Sequence, residues 1–394
     1  MPNAEALKET VRKVIDSFSE DLRSVSMDIH SHPELNFEEH HAHKALTGFL
    51  EGNGFAVTRG AYDMPTAFKA VAGSGGPTIA VMCEYDALPG IGHACGHNLI
   101  AISGLAAGLA LKQALGEGNG TVVVFGSPAE EGGGGKVYMI ERGAFEGIDA
   151  AMMLHPSPMD GAWMTSTARD TVAVDYHGKN AHAGAAPWEG INALDALVTA
   201  YNAISVLRQQ IRPTDRIHGV FTKAGEKPNI IPDHTSAEFY VRSANMRDLA
   251  KLTERVVACF EAAALATGCR VDVRSIDKPY ANLVQNNPMA EAYTANMGTL
   301  GLRLPTRQES QGGLGGASTD MGDVSYTVPS IHPSFAIPTD AVNHTPGFTA
   351  SAATPQAHEA TLRAAKALAM TAVDLFCNPE VLAAAKADFA AVRR

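Results

Sequence analysis

The stretch TIAVMCEYDALPGIGHACGHNLIA, residues 78–101, contains the unit from which we derive the fold. Its first seven residues are almost all apolar, which is typical of a central strand buried on both faces of a sheet. Its last residues begin an apolar segment that predicts a helix to about residue 115, with Asn98 as its cap. Between strand and helix lie Glu84, Asp86, Cys95 and His97, so polar groups are concentrated where the strand ends.

The next segments repeat the same alternation of strand and helix. TVVVFGS (121–127) predicts a second buried strand, KVYMIERGAF (136–145) a helix, and DAAMMLH (149–155) a third strand. Strands that alternate with helices form mostly parallel sheets covered by helices. We therefore predict an α/β catalytic domain with a mostly parallel sheet flanked by helices.

Polar side chains follow each of these three strands. Glu84 and Asp86 come after the first strand, Glu130 and Glu131 after the second, and His155 ends the third. Ligands of open α/β sheets bind outside the carboxyl ends of the strands. Cysteine, histidine and carboxylate ligands suit zinc or a similar divalent ion. If one of the adjacent glutamates binds metal, its neighbour is free to transfer a proton.

A different pattern occupies residues 169–280. It predicts strands at 170–177, 216–224, 235–243 and 270–276, and helices at 190–210 and 246–267. This β-α-β-β-α-β order is that of a ferredoxin-like unit. We predict that residues 1–168 and 281–394 form the catalytic domain and that 169–280 is an inserted domain.

Composition excludes several functional classes. The 394-residue chain has a formal net charge of −11, and its basic residues form no cluster, which argues against nucleic acid and anionic membranes as partners. The N-terminus has no apolar signal region, and the apolar run 99–111 is too short to span a bilayer. Five irregularly spaced cysteines indicate reduced thiols, so we expect a cytoplasmic protein.

The five histidines of HSHPELNFEEHHAH (30–43) are interpreted as a solvated surface.

Several motifs together resemble a known family. They occur in the order HSHPELNFEE, DALPGIGHACGH, PAEEGGGG, MLHP, GKNAHAGAAPWEGINALDA, KPNIIPD and NHTPGF, and the similarity spans about residues 24–376. The chain is similar to the aminoacylase/carboxypeptidase superfamily of dimetal amidohydrolases. Its branch of hippurate, indoleacetyl-amino-acid and aminobenzoyl-glutamate hydrolases is the most similar. The chain departs from that branch at Asn98, where an Asp is frequent, and at the strand end, which carries Glu84-Tyr85-Asp86.

The resemblance implies a set of roles for individual residues. It implies two divalent metal ions per subunit, which are zinc or alternatively manganese, cobalt or nickel. The implied ligands are Cys95, in the bridging position, and His97, Glu131, His155 and His344. It implies Glu130 as general base and Asp86 as a support behind the metals. In the inserted domain, which the family uses as a lid and for dimerisation, His182 would stabilise the oxyanion in the partner subunit's active site. Asn229 and Arg242 would lie near the substrate.

These observations lead to one functional prediction and several alternatives. We expect a metal-dependent amidohydrolase that cleaves N-acyl or N-aroyl amino acids or related dipeptides, is a homodimer or a higher oligomer formed through the lid, and binds a small-molecule amide. An aryl-amine deaminase using the same site is the first alternative. A metal-free acyl hydrolase with a Cys95–His97 nucleophile pair is the second. A non-catalytic metal-binding protein is the third.

Overall fold

A computed structural model describes residues 3–310 and 316–392. The described residues form two compact units, one within Met1–Thr165, Leu283–Gly313 and Thr319–Arg394, the other within Ser166–Asn282 and Leu314–Ser318. The strands are β1 Ala56–Arg59, β2 Phe68–Ser74, β3 Thr78–Glu84, β4 Gly120–Ser127, β5 Ala150–Met152, β6 His155–Ser157, β7 Ala168–His177, β8 Arg216–Lys223, β9 His234–Ser243, β10 Arg270–Ser275, β11 Ser330–Ile331 and β12 Ser334–Ala336.

The helices follow the same numbering along the chain. They are α1 Ala4–Ser17, α2 Ser19–Ser31, α3 His40–Gly52, α4 His97–Leu115, α5 Gly135–Glu141, α6 Ala193–Leu207, α7 Met246–Thr267, α8 Asn287–Thr299, α9 Arg307–Ser310, α10 Met321–Ser325, α11 Pro346–Ala352, α12 Pro355–Cys377 and α13 Pro379–Val392. The α/β fold class predicted from the sequence is therefore confirmed.

The first unit contains a six-stranded sheet with the order β1-β2-β4-β3-β5-β11. β3 pairs in parallel with β4 and β5, and β5 in parallel with β11, whereas β2 is antiparallel to β1 and β4. The central strand β3 is buried from Ile79 to Glu84, as its apolar sequence predicts. The sheet is thus parallel where the site residues emerge and antiparallel only at one edge.

Helix α4 packs closely on the central strand. A Cβ at Gly104 would lie 2.5 Å from the Met82 carbonyl oxygen and 2.6 Å from Cys83 Sγ, so only glycine permits this approach. Within the described residues, α4 alone is long and apolar enough to cross a membrane, and 83% of its apolar window is buried inside the protein. Helices α12 and α13 meet the same criterion only as a pair, and they are bent by 100° at their junction.

The second unit contains a four-stranded sheet with the order β10-β7-β9-β8. All its neighbouring strands are antiparallel. Alternate residues of β7, such as Val172, Val174 and Tyr176, are buried in one cluster with apolar residues of α6 and α7. This is the strand order of the ferredoxin-like β-α-β-β-α-β unit. The role of residues 169–280 as a lid and dimerisation domain stays a prediction.

Several predicted elements differ from the structure in detail. The N-terminal segment forms two helices, α1 and α2, that meet at Phe18. The strand expected over 149–155 is divided into β5 and β6. His155 therefore begins a two-stranded sheet with β12 and does not end a strand of the main sheet. Helix α4 begins at His97 after Gly96, and Asn98 does not cap it but donates to Ser26 and Ala352.

The histidine-rich segment is only partly solvated. His32 and His40 are exposed, as expected for a surface, but His43 is buried, and burial lowers its pKa. His30 Nε2 lies 2.9 Å from the Thr349 carbonyl oxygen. The prediction of a solvated surface is wrong for His43, because α3 turns one of its faces into the core, and His30 at the end of α2 is half-buried.

Candidate metal centre

The loop between β3 and α4 carries the first metal-binding candidates. Gly96 adopts a left-handed conformation with φ 74°, and a Cβ there would lie 2.6 Å from Pro156 Cγ. This tight turn places Cys95 and His97 two residues apart and both buried at the start of α4. The HACGH motif therefore encodes a backbone turn as well as two candidate ligands.

Asp86 orients two of the neighbouring groups. Its Oδ1 lies 3.0 Å from His97 Nδ1, and its Oδ2 accepts the Glu131 backbone N–H at 2.9 Å. Because the carboxylate accepts the Nδ1 proton, the Nε2 lone pair of His97 points away from it and towards the cluster. Asp86 thus contacts both His97 and Glu131 from one side, and its role as a support behind the metals stays a prediction.

The turn after β4 brings two acidic side chains to His97. Glu130 Oε2 lies 3.9 Å and Glu131 Oε1 3.7 Å from His97 Nε2. The preceding residue, Ala129, has a positive φ of 58°. This left-handed residue redirects the chain at the strand end, so that neighbouring glutamates face the same centre.

His155 and His344 approach from other segments. His155 Nε2 lies 3.4 Å from Cys95 Sγ, and His155 Nδ1 lies 2.7 Å from the Pro156 carbonyl oxygen, which fixes the ring. His344 Nε2 lies 3.4 Å from Glu131 Oε1. His344 itself has a φ of 64°, and its N–H donates to the Ala94 carbonyl at 2.8 Å.

These side chains contribute to three groups suited to metal binding, in each of which the ligand atoms lie within 4.8 Å of one another. The groups are Cys95, His97 and His155; Cys95, Glu131 and His344; and Glu84, His97 and Glu130. Cys95 belongs to the first two groups and would therefore be a ligand in both. His97 Nε2 is buried and has no hydrogen-bond partner among the described residues, as expected of an atom that faces a metal. The donor set therefore fits two borderline divalent ions.

The electrostatic environment separates the two glutamates. Burial, followed by the charges of Glu84 and Glu131, raises the pKa of Glu130. Burial also acts to raise the pKa of Glu131, but the neighbouring imidazoles of His344 and His97 outweigh it and lower that pKa. Glu131 therefore keeps its negative charge more readily, and Glu130 is the group more ready to hold a proton. Burial and the Glu131 charge raise the pKa of the Cys95 thiol, which is unfavourable for a metal-free nucleophile.

A buried ion pair that the sequence did not reveal lies beside this centre. Lys136 contacts Glu84 and donates to Asp320 Oδ1 at 2.7 Å, and all three side chains are fully buried. Glu84 Oε2 lies 3.8 Å from His97 Nε2, so the pair reaches the metal-binding groups. The signal that could have indicated Lys136 is a lysine on the buried side of a short, Gly-preceded helix.

The remaining predicted residues belong to the second unit. His182 is exposed, and its Nδ1 accepts the N–H groups of Gly184 and Ala185 at 3.2 Å. Nδ1 is therefore the acceptor, and Nε2 carries the proton that an oxyanion would need. The carbonyl oxygen of Asn229 accepts the Ala183 N–H, which links its loop to that of His182. Arg242 donates to Ser318 Oγ at 2.7 Å.

Comparison with known proteins identifies the family. The family model described as Peptidase family M20/M25/M40 matches residues 80–372. The chain belongs to peptidase family M20/M25/M40. As a member of the M20 family, it is a metal-dependent hydrolase of amide bonds.

Individual M20 relatives cover nearly the whole chain. The Xaa-Arg dipeptidase of Mus musculus is 46% identical over 98% of this chain and 92% of its own length. A p-aminobenzoyl-glutamate hydrolase subunit of Escherichia coli (strain K12) is 31% identical over 95% of this chain and 94% of its own length. Among solved structures, a dinuclear metal-binding peptidase of family M20 from Bacillus subtilis aligns with a TM-score of 0.70 at 21% identity, over 92% of this chain and 99% of that one.

Proposed function

We propose that this protein is a dipeptidase that hydrolyses the amide bond of dipeptides ending in arginine or a similar basic residue. The observation that carries this proposal is the 46% identity to the murine Xaa-Arg dipeptidase along 98% of the chain. The human Xaa-Arg dipeptidase gives 45% over the same share. This substrate lies within the class of acyl amino acids and dipeptides expected from the sequence.

The mechanism we propose assigns each side chain of the centre a role. Cys95, His97, His155, Glu131 and His344 would hold two divalent ions, with Cys95 shared, as the two groups that contain Cys95 favour. When bound, such ions supply Lewis-acid activation of water and of the amide carbonyl. Glu130 takes a proton from the attacking water and delivers it to the leaving nitrogen. His182 of a partner subunit donates a hydrogen bond from its Nε2–H to the oxyanion and keeps its proton.

We also propose that two copies associate through the second unit. The sheet order leaves β8 as an edge strand, and seven of its eight residues are exposed. Val220 and Phe221 of β8 and Val198 and Tyr201 of α6 are large exposed apolar side chains of the same unit. An open strand edge beside apolar side chains is a surface that pairs with another copy. A cytoplasmic location and the absence of nucleic-acid and membrane partners stay predictions.

A second candidate substrate class follows from the bacterial relative. The p-aminobenzoyl-glutamate hydrolase subunit is 31% identical, and its named substrate ends in an acidic residue rather than a basic one. Opposite side-chain charges make the two candidates separable, since a buried site that pairs with one charge rejects the other.

The test is hydrolysis of a substrate panel with the metal content measured on the same sample. The panel holds Xaa-Arg and Xaa-Lys dipeptides, p-aminobenzoyl-glutamate, benzoyl-glycine and free aminobenzoates. Release of arginine or lysine at about two metals per chain would support the proposal. Preferential release of glutamate would instead support p-aminobenzoyl-glutamate as the type of substrate. Release of ammonia from aminobenzoates alone would support the deaminase alternative.

A glutamine variant at Glu130 tests the base. Glu130→Gln should retain metal and lose at least about a hundredfold in kcat, because the amide cannot accept the proton of water. Glu131→Gln serves as the comparison, since it should lose metal as well as activity. A Glu130→Gln enzyme with wild-type kcat would exclude this residue as the base.

A further inference from the structure

Glu39 is a buried carboxylate for which the proposed mechanism has no role. It lies just before α3 and has no exposed surface. Its Oε1 accepts two backbone N–H groups, from Phe37 and from Ala129, each at 2.9 Å. Ala129 is 90 residues away in sequence, so this contact joins the N-terminal segment to the turn after β4.

Both donors have a backbone conformation that disfavours side chains. Phe37 has a φ of 64° and Ala129 a φ of 58°. In this left-handed region the Cβ of an L-residue is crowded by the backbone, so such residues persist only where their surroundings hold them. Glu39 accepts a hydrogen bond from each, and it is therefore part of what holds them.

The conformation of Ala129 sets the direction in which the turn that carries Glu130 and Glu131 leaves β4. In this turn both carboxylates lie within 3.9 Å of His97 Nε2. Two buried carboxylates fix the turn from its N–H side, because Glu39 accepts from Ala129 and Asp86 accepts from Glu131.

The rest of the turn closes on the same segment. The Ala129 carbonyl accepts the Gly134 N–H at 3.0 Å. A Cβ at Gly133 would lie 2.5 Å from Phe37 Cε2, so the Phe37 ring packs directly against the turn. Phe37 and Ala129, the two left-handed residues whose N–H groups Glu39 accepts, thus lie on two segments that pack against each other: the segment before α3 and the turn after β4.

We propose that Glu39 is a positioning residue for amide hydrolysis, which holds Ala129 in its left-handed conformation and thereby aims Glu130 and Glu131 at the metal centre. This inference rests on the proposed function, since Glu130 and Glu131 take their roles from it. Glu39 contacts neither substrate nor metal in this scheme and acts only through the turn.

The test compares three variants by kcat, KM, metal dissociation constant and Tm. Glu39→Ala should lower kcat about a hundredfold, because small displacements of a catalytic group have effects of that size, while KM changes little. Glu39→Gln keeps an acceptor oxygen and should regain most of that loss. Glu34→Ala is the matched control, because Glu34 accepts the N–H groups of His41 and Ala42 at the start of α3 but does not contact the turn.

A glycine at position 129 makes the test specific for backbone conformation. Glycine adopts a positive φ without this crowding. Adding Ala129→Gly to the Glu39→Ala variant should therefore raise its kcat about fivefold. If Glu39→Ala folds and retains wild-type kcat and metal affinity, the proposal is overturned. It is equally overturned if Glu34→Ala loses the same kcat, or if neither glutamine nor glycine rescues the rate.

The outcome can be separated from failure of the proposed function. If Glu130→Gln is fully active, the base is misassigned, but Glu39→Ala should still weaken metal binding through Glu131. If Glu130→Gln is inactive and Glu39→Ala leaves both kcat and metal affinity unchanged, the proposed function stands and the positioning role of Glu39 does not.

Discussion

At the scale of single residues, the metal centre depends on polar groups whose burial is compensated. Lys136 lies between Glu84 and Asp320 with no exposed surface. Burial acts to lower the pKa of Lys136, but the carboxylates of Asp320 and Glu84 outweigh it and raise that pKa, so the lysine stays charged. Burial also raises the pKa of Asp320, to about 6. The buried positive charge of Lys136 and the buried carboxylates of Glu84 and Asp320 therefore compensate one another.

Removal of this ammonium should destabilise the protein strongly. Lys136→Met leaves two carboxylates buried without their cation, and the free energy of unfolding should fall by about 3–5 kcal/mol. Urea denaturation of the metal-free proteins measures the change. Lys44→Met, at an exposed position of α3, is the control and should change stability by less than about 0.5 kcal/mol. Equal stability of the two variants would show that the buried pair contributes nothing.

The sequence predicted the residues of the centre unequally. Cys95, His97, Glu130 and Glu131 stand in dense motifs, and the structure brings them together as the strand-end argument anticipates. Glu39 contacts Ala129, which is 90 residues away in sequence. Lys136 contacts Asp320, which is 184 residues away. No local pattern specifies such a partner, so these roles are visible only when the chain is folded.

At the scale of elements, the packing of α4 against β3 sets the position of His97. The contact is made at Gly104, where a Cβ would overlap the Met82 carbonyl. Apolar periodicity predicted both elements but not this contact, because an isolated glycine in a helical pattern has no unique interpretation.

Two glycine-to-alanine changes should have opposite effects on stability. Gly104→Ala forces the helix and strand apart and should lower the free energy of unfolding by about 1–3 kcal/mol, as overpacking does. Gly48→Ala lies on the exposed side of α3 with nothing within 4 Å of its Cβ. It should raise the free energy of unfolding by about 0.5–1 kcal/mol. Thermal or urea unfolding measures both, and a stabilising Gly104→Ala would contradict the close approach.

At the scale of the whole molecule, the proposed active site needs two copies of the chain. His182 belongs to the second unit and the metal ligands to the first. Mixing Glu130→Gln with His182→Ala subunits should restore up to about a quarter of wild-type activity, because some hybrid sites combine an intact Glu130 with an intact His182. Subunit exchange must be verified by differently tagged chains. Exchange without any recovery would show that the site is completed within one chain.

Sequence by itself determined the fold class, the position of Glu84 and of the Glu130–Glu131 pair at the ends of β3 and β4, and the family. These features are local or periodic, and the hydrophobic pattern and turn glycines encode them directly. Tertiary structure alone decided the division of residues 149–155 between two sheets, the burial of His43 and the partners of Glu39 and Lys136. The physical reason is that a buried charge or a left-handed residue is stabilised by whichever distant group the fold brings to it, and sequence spacing carries no record of that group.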